Sequence, residues 1–170
     1  MEILGVLIGT IVGGLITWFT TAHWNRLQTT FDLHREFDSD VMHESRMSAD
    51  QLIKGNPHDT LGEIYKKDPE KSRYLWQLIN FYRRLSLAIK YNQVNPDLIP
   101  ELFGEIFTWW YIVCFENQLL ADEKNYFSPS RKQIFWLKKW LDTHANKTEL
   151  SKWTANALDD LQNYRQGNFM

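Results

Sequence analysis

The chain has 170 residues, with 19 Lys and Arg against 21 Asp and Glu, a formal net charge of −2 and one cysteine. This balance argues against a protein that binds nucleic acid through a broad basic surface, and a single cysteine excludes an intrachain disulfide. The length suits one ordinary domain that can bury a core without a metal ion.

The first predicted element covers residues 3–22, which are 20 consecutive uncharged residues. As a helix they reach about 30 Å, the thickness of the hydrocarbon layer of a bilayer. A cleaved signal peptide is the alternative, but it requires positive charge before a shorter apolar core, and here Met1 and Glu2 precede a long one. We therefore predict a retained transmembrane helix over residues 3–22 and a cytoplasmic helical bundle over residues 23–170.

The flanks of this span predict its orientation. Arg26 and Arg35 lie shortly after it and no Lys or Arg lies before it, so the positive-inside rule leaves the N-terminus outside and the bundle in the cytoplasm. Trp18 and Trp24 are expected at the cytoplasmic interface, where indole rings settle among the headgroups. Arg26 is expected to join these two residues as an anchor at the interface.

The residues after the span predict helices only, because no alternating apolar run ends in a hairpin turn. The first helix is expected to continue to about Phe37, with Leu27, Phe31 and Leu33 or His34 facing a partner. The next helix begins after a cap at Ser39 or Asp40 and ends at "GNP".

The strongest periodicity follows Asp68-Pro69, where apolar residues recur at spacings of three and four, namely Leu75, Leu78, Tyr82, Leu85 and Ile89. Asp97 is then expected to cap a helix that is apolar over most of its girth and central to the bundle. Within this helix, the apolar run of residues 106–115 is too short to cross a membrane and is interpreted as core, with Cys114 buried.

Two further helices complete the prediction. Ser128-Pro129 opens one with Ile134, Leu137 and Leu141 on one side. The last helix carries Leu150, Trp153, Ala157, Leu158 and Leu161. All spacers are short, so the fold class is all-α: an N-terminal transmembrane helix followed by a bundle of about five to six helices.

Small residues form a stripe along the predicted span. Gly5, Gly9 and Gly13 lie four residues apart, and Thr17 and Thr21 continue that spacing. Small residues at this interval let helices approach closely in a membrane, which predicts self-association.

A second face of the span is expected to touch water if the associated helices surround a pore. Its residues are Thr10, Gly14 and Thr20 or Thr21.

A search for chemistry finds little. The sequence contains no glycine-rich phosphate loop and no CxxC, and its five histidines show no metal-ligand spacing, so no cofactor and no metal are expected. Helical bundles of the HEPN type cleave RNA with an Arg and a His separated by four to six intervening residues, a motif that is missing here. Lys139 and His144 have the nearest spacing and remain the alternative phosphate and acid–base pair, although lysine lacks the planar fork of arginine.

Several core residues carry a resemblance to known proteins. They are Glu36, Phe37 and Ser39, then Arg46, then Leu78, Asn80, Phe81 and Tyr82, then Trp109 and Trp110. This pattern resembles that of a group of uncharacterised bacterial proteins with one N-terminal membrane helix. Within that group, the chain is similar to the single-span membrane accessory proteins of type VI-B CRISPR systems, which are described as divergent HEPN-like bundles.

This resemblance implies a bacterial inner-membrane protein that assembles into a homo-oligomeric ring with a central pore. It implies a functional link to an RNA-guided RNA-targeting effector, whose antiviral defence the ring enhances by dissipating the membrane potential. No direct binding of nucleic acid is expected. The alternatives are a membrane-tethered ribonuclease and an adaptor that holds a cytoplasmic partner at the membrane.

Overall fold

The computed structural model describes residues 2–119 and 128–166, and the side chains of residues 12–116 and 129–166. The described part is helical throughout and contains no strand, as the sequence predicts. Its seven α-helices are α1 (Glu2–Phe37), α2 (Asp40–Gly55), α3 (Leu61–Lys67), α4 (Pro69–Lys90), α5 (Ile99–Trp110), α6 (Ser128–His144) and α7 (Lys147–Gln166).

Local capping explains where the first helices begin and end. Ser39 caps α2 by accepting a hydrogen bond from the backbone N–H of Met42. Thr60 and Glu63 form a capping box at the start of α3, in which each side chain accepts from the other residue's backbone N–H. The Glu63 carboxylate accepts hydrogen bonds from the backbone N–H and from the hydroxyl of Thr60, and these two bonds lower its pKa. Asp68 caps α4 and is followed by proline at the first helical position.

The start of α5 differs from the prediction. Asp97 does not cap α5, whose N-cap residue is Leu98 with no side-chain hydrogen bond. Asn95 instead caps the 3₁₀ turn before α5: its amide oxygen accepts from the backbone N–H of Asp97, 3.1 Å away. The reason is that a single 3₁₀ turn, Pro96–Leu98, precedes α5, so the chain turns one step earlier than an Asp97 cap requires. Pro100 lies in the first turn of α5, as expected.

The helix that begins with α5 continues as a π-helix over Tyr111–Leu119, which the sequence did not indicate. Five consecutive side chains, residues 111–115, are buried, more than one face of an α-helix presents. The helix is therefore covered nearly all round, as its composition predicts for a central element. Burial raises the pKa of the Cys114 thiol, so Cys114 is the buried and unreactive cysteine that was expected.

An aromatic cluster forms the centre of the bundle. Its rings lie 4.9–6.5 Å apart between centroids and come from α1, α4, α5 and the π-helix, namely Phe37, Phe81, Tyr82, Phe103, Phe107 and Phe115. All six side chains are at most 1% exposed. Rings at these separations add to the free energy gained from burying their area. Burial also raises the pKa of Tyr82, whose hydroxyl has no hydrogen-bond partner in the described part of the chain.

Two helical faces differ from the prediction. In α1, Phe31 is 50% exposed, and the fully buried residues are Thr30 and Phe37. In α7, Leu158 is 52% exposed and Ala157 is buried. In both helices the exposed large residue directly follows a small buried one, Thr30 or Ala157, and consecutive residues of a helix lie about 100° apart around its axis.

Candidate functional site: an exposed apolar helix and its junction with the bundle

Residues 12–25 of α1 are exposed along nearly their whole length. Over residues 12–25 every side chain is exposed except the half-buried Ala22. Large apolar side chains are included, with Ile16 61% and Phe19 63% exposed. A Cβ atom added at Gly13 or Gly14 would meet no other atom within 4 Å. This stretch is therefore an apolar helix that the described chain leaves uncovered on all sides.

Threonine hydroxyls on this stretch are bonded within the helix itself. Thr17 donates to the carbonyl oxygen of Gly13 at 2.9 Å, and Thr20 donates to that of Ile16 at 2.8 Å. A hydroxyl that donates to the preceding turn is compatible with lipid as well as with water, because no donor is left unpaired in an apolar medium. These threonines therefore suit either a lipid-facing or a water-facing position.

The structure describes the side chains of some of the predicted packing and pore residues. Gly13, Thr17 and Thr21 of the packing stripe, and Gly14 and Thr20 of the second face, are exposed on α1. The remaining members lie in the first turns of α1, where side chains are outside the described set; they are Gly5, Gly9 and Thr10. Close approach of a second helix and the lining of a pore remain predictions.

The predicted interface residues mark the end of the uncovered stretch. Trp18 is 64% and Trp24 is 65% exposed, and the Trp18 ring meets the edge of Phe19 with centroids 4.9 Å apart. Arg26 is half-buried, and its carbonyl oxygen accepts a hydrogen bond from the Thr30 hydroxyl at 2.7 Å. The covered part of α1 therefore begins close to Arg26.

Buried hydrogen bonds tie α1 to the bundle at Thr30. Its side chain is fully buried, and its oxygen accepts from the backbone N–H of Asn95 at 2.8 Å. A buried unpaired N–H costs about 1–3 kcal/mol, so this bond fixes the turn before α5 against α1. Further along, Glu36 forms an ion pair with Arg84 of α4.

The corner between α1 and α2 is held by residues of the recognised pattern. The Arg46 guanidinium donates to the carbonyl oxygen of Phe37 at 2.5 Å and lies 4.2 Å from the centre of its ring. The Ser39 hydroxyl donates to the carbonyl oxygen of Glu36 at 2.6 Å while it caps α2. Glu36, Phe37 and Ser39, together with Arg46, therefore form the junction at which the long helix enters the core. Sequence reasoning noted these residues without assigning them this role.

The two residues of the alternative nuclease pair each contact an aromatic side chain of their own helix. His144 stacks on the ring of Trp140 with centroids 4.1 Å apart, and its Nδ1 lies 2.8 Å from the carbonyl oxygen of Trp140. Lys139 lies over the ring of Phe135, with 4.8 Å between Nζ and the centroid. Both side chains are exposed on α6. Their role in RNA cleavage therefore remains the alternative prediction.

A half-open groove of about 570 Å³ lies between the end of α2, α3 and the start of α4. Two lysines lie along it, and each is paired with a carboxylate, Lys67 with Asp59 and Lys71 with Asp68. A carboxylate of the protein therefore balances the charge of each of these two lysines. Among the described residues, no group of His, Cys, Asp and Glu side chains is placed to hold a metal ion.

Among the described residues, the helix Pro96–Glu116 is long and apolar enough to cross a membrane, with a mean hydropathy of 1.3. The apolar run of residues 106–115 is too short to cross a membrane, but the helix that contains it has 21 residues. Burial is the better argument, because 61% of its apolar window lies inside the bundle. It is the core helix, as expected, for a different reason.

The fold and this geometry define a class: a helical bundle from which a long, uncovered apolar helix extends. The profile of one family, a domain of unknown function designated DUF4760, matches residues 5–116. This is well over half of the chain, so the chain belongs to that family. The match includes the uncovered part of α1 and ends within the π-helix, before α6 and α7. No curated protein and no solved structure matches the chain significantly.

Proposed function

We propose that the protein is held in a bilayer by residues 3–22 of α1, with the bundle on one side. The uncovered apolar stretch of α1 carries this proposal. Each large apolar side chain moved out of water gains about 1.5–3 kcal/mol, and Leu15, Ile16 and Phe19 are 52–63% exposed. A helix with apolar residues on every side is typical of a membrane span.

The proposed orientation places the bundle in the cytoplasm and the N-terminus outside. Arg26 lies four residues after the last residue of the span, Ala22, and Arg35 lies nine residues further along α1, in an exposed position. Positive residues next to a span favour the cytoplasmic side. Trp18 and Trp24 then lie near the inner headgroups, and the membrane is the inner membrane of a bacterium.

We further propose that the anchored helices associate into a homo-oligomeric ring. The stripe of Gly5, Gly9 and Gly13 leaves room for a neighbouring backbone, and Thr17 and Thr21 extend it. The bond from Thr17 to the carbonyl oxygen of Gly13 keeps the threonine side chain close to its own helix. This geometry supports close packing of a second helix along the stripe.

The narrowest part of the proposal is a conduction path lined by Thr10, Gly14 and Thr20. Such a path would dissipate the membrane potential and enhance the defence of an RNA-guided RNA-targeting effector. Its support is the resemblance of the pattern to single-span accessory proteins of CRISPR systems, together with hydroxyl oxygens that can still accept hydrogen bonds from water. An RNA-cleaving role has weaker support, because the sequence lacks the Arg–His motif and Lys139 and His144 each contact an aromatic ring of α6.

Replacing Gly9 and Gly13 with Leu tests the association. The larger side chains should block close approach, so the protein should remain in the membrane and lose its oligomer in detergent. The matched control replaces Val12 and Ile16 with Leu on the same helix, which nearly conserves volume and should leave the oligomer intact. An unchanged oligomer in the glycine variant would show that the stripe is not the interface.

A second experiment separates a pore from a passive tether. Residues 1–22 are replaced by an unrelated leucine span, which satisfies the bilayer equally well but removes the small and hydroxyl residues. Under activating conditions, a potential-sensitive dye should report depolarisation with the natural helix and none with the leucine span. Equal depolarisation or equal protection from phage with both spans would favour a tether for a cytoplasmic partner.

A further inference from the structure

Two contacts define how the bundle is oriented relative to α1. The backbone N–H of Asn95, just after α4, bonds to the Thr30 hydroxyl, and Arg84 of α4 pairs with Glu36. Along α1 the residue numbers rise away from the span, from 30 to 36, while along the α4 side they fall from 95 to 84. Helix α4 therefore runs antiparallel to α1, and its C-terminal end lies toward the uncovered part of α1.

The connection that follows α4, residues 91–98, is called here the α4–α5 turn. Thr30 lies six residues after Trp24, which is about 9 Å along a helix. The turn that bonds to Thr30 is therefore within about two helical turns of the tryptophan expected at the headgroups. The bundle brings this turn close to the point where α1 leaves it.

The α4–α5 turn has a fixed shape that presents an aromatic side chain. Asn92 has φ 57°, a left-handed conformation that asparagine tolerates, and the backbone N–H of Gln93 donates to the carbonyl oxygen of Ala88 at 2.8 Å. This closure of the helix end is of the Schellman type. Beside it, Tyr91 is 66% exposed, more than any other large apolar or aromatic side chain among those described.

Charges near the turn are compatible with a phospholipid surface. Lys90 is exposed at the end of α4. The Ser86 hydroxyl donates to the side-chain oxygen of Gln133 at 2.9 Å, so Arg131 and Lys132 of α6 lie within one turn of that contact. Asp97 is the carboxylate within the turn itself. Cations near a bilayer surface are attracted to anionic headgroups.

We propose that the α4–α5 turn is a second membrane contact, with the Tyr91 ring among the phospholipid headgroups. This inference rests on the proposed anchoring of α1. Tyrosine suits the position because its ring is apolar and its hydroxyl is polar. With two contacts, the bundle stands on the bilayer at a fixed tilt, and the groove at the opposite end of α4 faces away from the lipid.

Site-specific labelling of the full chain in vesicles tests this contact. Tyr91→Cys and the control Tyr65→Cys each receive an environment-sensitive fluorophore, and both positions are exposed tyrosines. Tyr65 borders a small depression with Ser72 and Trp76 near the start of α4, roughly 25 Å from Tyr91 by the rise of the helix. Cys114 is fully buried and should stay unlabelled, which the wild-type chain verifies.

The vesicles contain phosphatidylcholine and phosphatidylglycerol with a fraction of lipid spin-labelled near the headgroup. We expect quenching and a blue-shifted emission at position 91 and neither at position 65, with a smaller shift at position 91 in phosphatidylcholine alone. The inference would be overturned if the label at position 91 showed the same emission wavelength and the same lack of quenching as the label at position 65.

A third label separates failure of this contact from failure of the anchor. The fluorophore on Phe19→Cys reports the span itself. Quenching at position 19 with none at position 91 leaves the anchor in place and rejects the second contact. No quenching at either position rejects both, because the turn can reach lipid only beside an inserted α1. A chain that keeps Tyr91 and carries the fluorophore at the exposed position Gln93→Cys verifies that loss of the native tyrosine does not create the result.

Discussion

Two helices of this protein are apolar along about 20 residues, and they differ in what covers them. The helix Pro96–Glu116 lies mostly inside the bundle, among aromatic side chains from α1 and α4. Helix α1 is uncovered over residues 12–25, with side chains such as Trp18 and Phe19 more than 60% exposed. Hydropathy and length therefore do not distinguish a span from a core helix, but the presence or absence of intramolecular partners does.

The same contrast occurs within α1 itself. Residues 12–25 are exposed apart from the half-buried Ala22, whereas the last two turns enter the core at Thr30 and Phe37. The helix is continuous from Glu2 to Phe37, so no flexible linker separates the two parts. A movement of the uncovered part would be transmitted directly to the junction with α2 and α4.

The largest expected effect comes from Phe37→Ala. This side chain is 1% exposed and contacts the rings of Phe81 and Phe103, so its truncation should lower the free energy of unfolding by about 3–5 kcal/mol. The matched control is Phe31→Ala on the same helix, where the ring is 50% exposed and the loss should be less than about 1 kcal/mol. Denaturant unfolding of the full chain in detergent measures both. Equal losses for the two variants would contradict the difference in burial between Phe37 and Phe31 on which the prediction is based.

Arg46→Ala should have the next largest effect. Loss of a charged hydrogen bond to the carbonyl oxygen of Phe37 costs about 1.5–3 kcal/mol, and contact with the ring is lost with it. Arg84→Ala is the comparison, because its ion pair with Glu36 is exposed and such pairs contribute about 0–1 kcal/mol. The unfolding midpoint should fall clearly more for Arg46→Ala. A larger fall for Arg84→Ala would show that the ion pair between Arg84 and Glu36, and not Arg46, contributes more to holding α1 in the bundle.

A smaller effect is expected where α7 covers the core helix. A Cβ atom added at Gly104 would lie 2.7 Å from the ring of Trp153, and overpacking of this kind costs about 1–3 kcal/mol. Alanine also stiffens the unfolded chain and favours a helix by up to about 1 kcal/mol, which offsets part of that cost. Gly55→Ala, with open space around it, isolates this favourable part.

Gly104→Ala should therefore unfold more easily than Gly55→Ala by about 1–3 kcal/mol. The Trp153 ring is half-buried, so a shift of that ring toward solvent is the route by which the strain is relieved. Equal stability of the two variants would mean that α7 is loosely held over α5 and that Trp153 gives way without cost.

The boundaries of the helices could be read from the sequence because punctuation is strong. Pro69 follows a capping aspartate, and Gly55 ends α2 where expected. The misses have physical causes that no local pattern contains. The residues from Tyr111 to Phe115 are buried on more than one face, and the face of α1 that meets the bundle contains Thr30 instead of Phe31.

The site divides in the same way. An apolar run of 20 residues predicted the uncovered helix, since an uncharged helix of that length matches the thickness of a bilayer. The roles of Thr30 and Arg46 could not be predicted, because their partners, Asn95 and the carbonyl oxygen of Phe37, become neighbours only in the folded chain. A buried threonine that accepts a bond from a residue 65 positions away leaves no local pattern.

Coverage of the exposed part of α1 by lipid is tested most directly by extraction of membranes at alkaline pH. The test variant carries Leu15→Asp, Ile16→Asp and Phe19→Asp. Aspartate at the centre of a span costs about 2.5–3.5 kcal/mol, whereas the three natural residues favour insertion. These three side chains are 52–63% exposed, so the substitutions should leave the packing of the bundle unchanged.

The control variant carries Val41→Asp, Met47→Asp and Leu158→Asp, three side chains that are 49–64% exposed on the bundle. We expect the wild type and this control to stay in the membrane pellet at alkaline pH. The α1 variant should be released with its bundle still folded, as circular dichroism and an unchanged unfolding midpoint would show. Release of the wild type, or retention of the α1 variant, would contradict a lipid-covered α1.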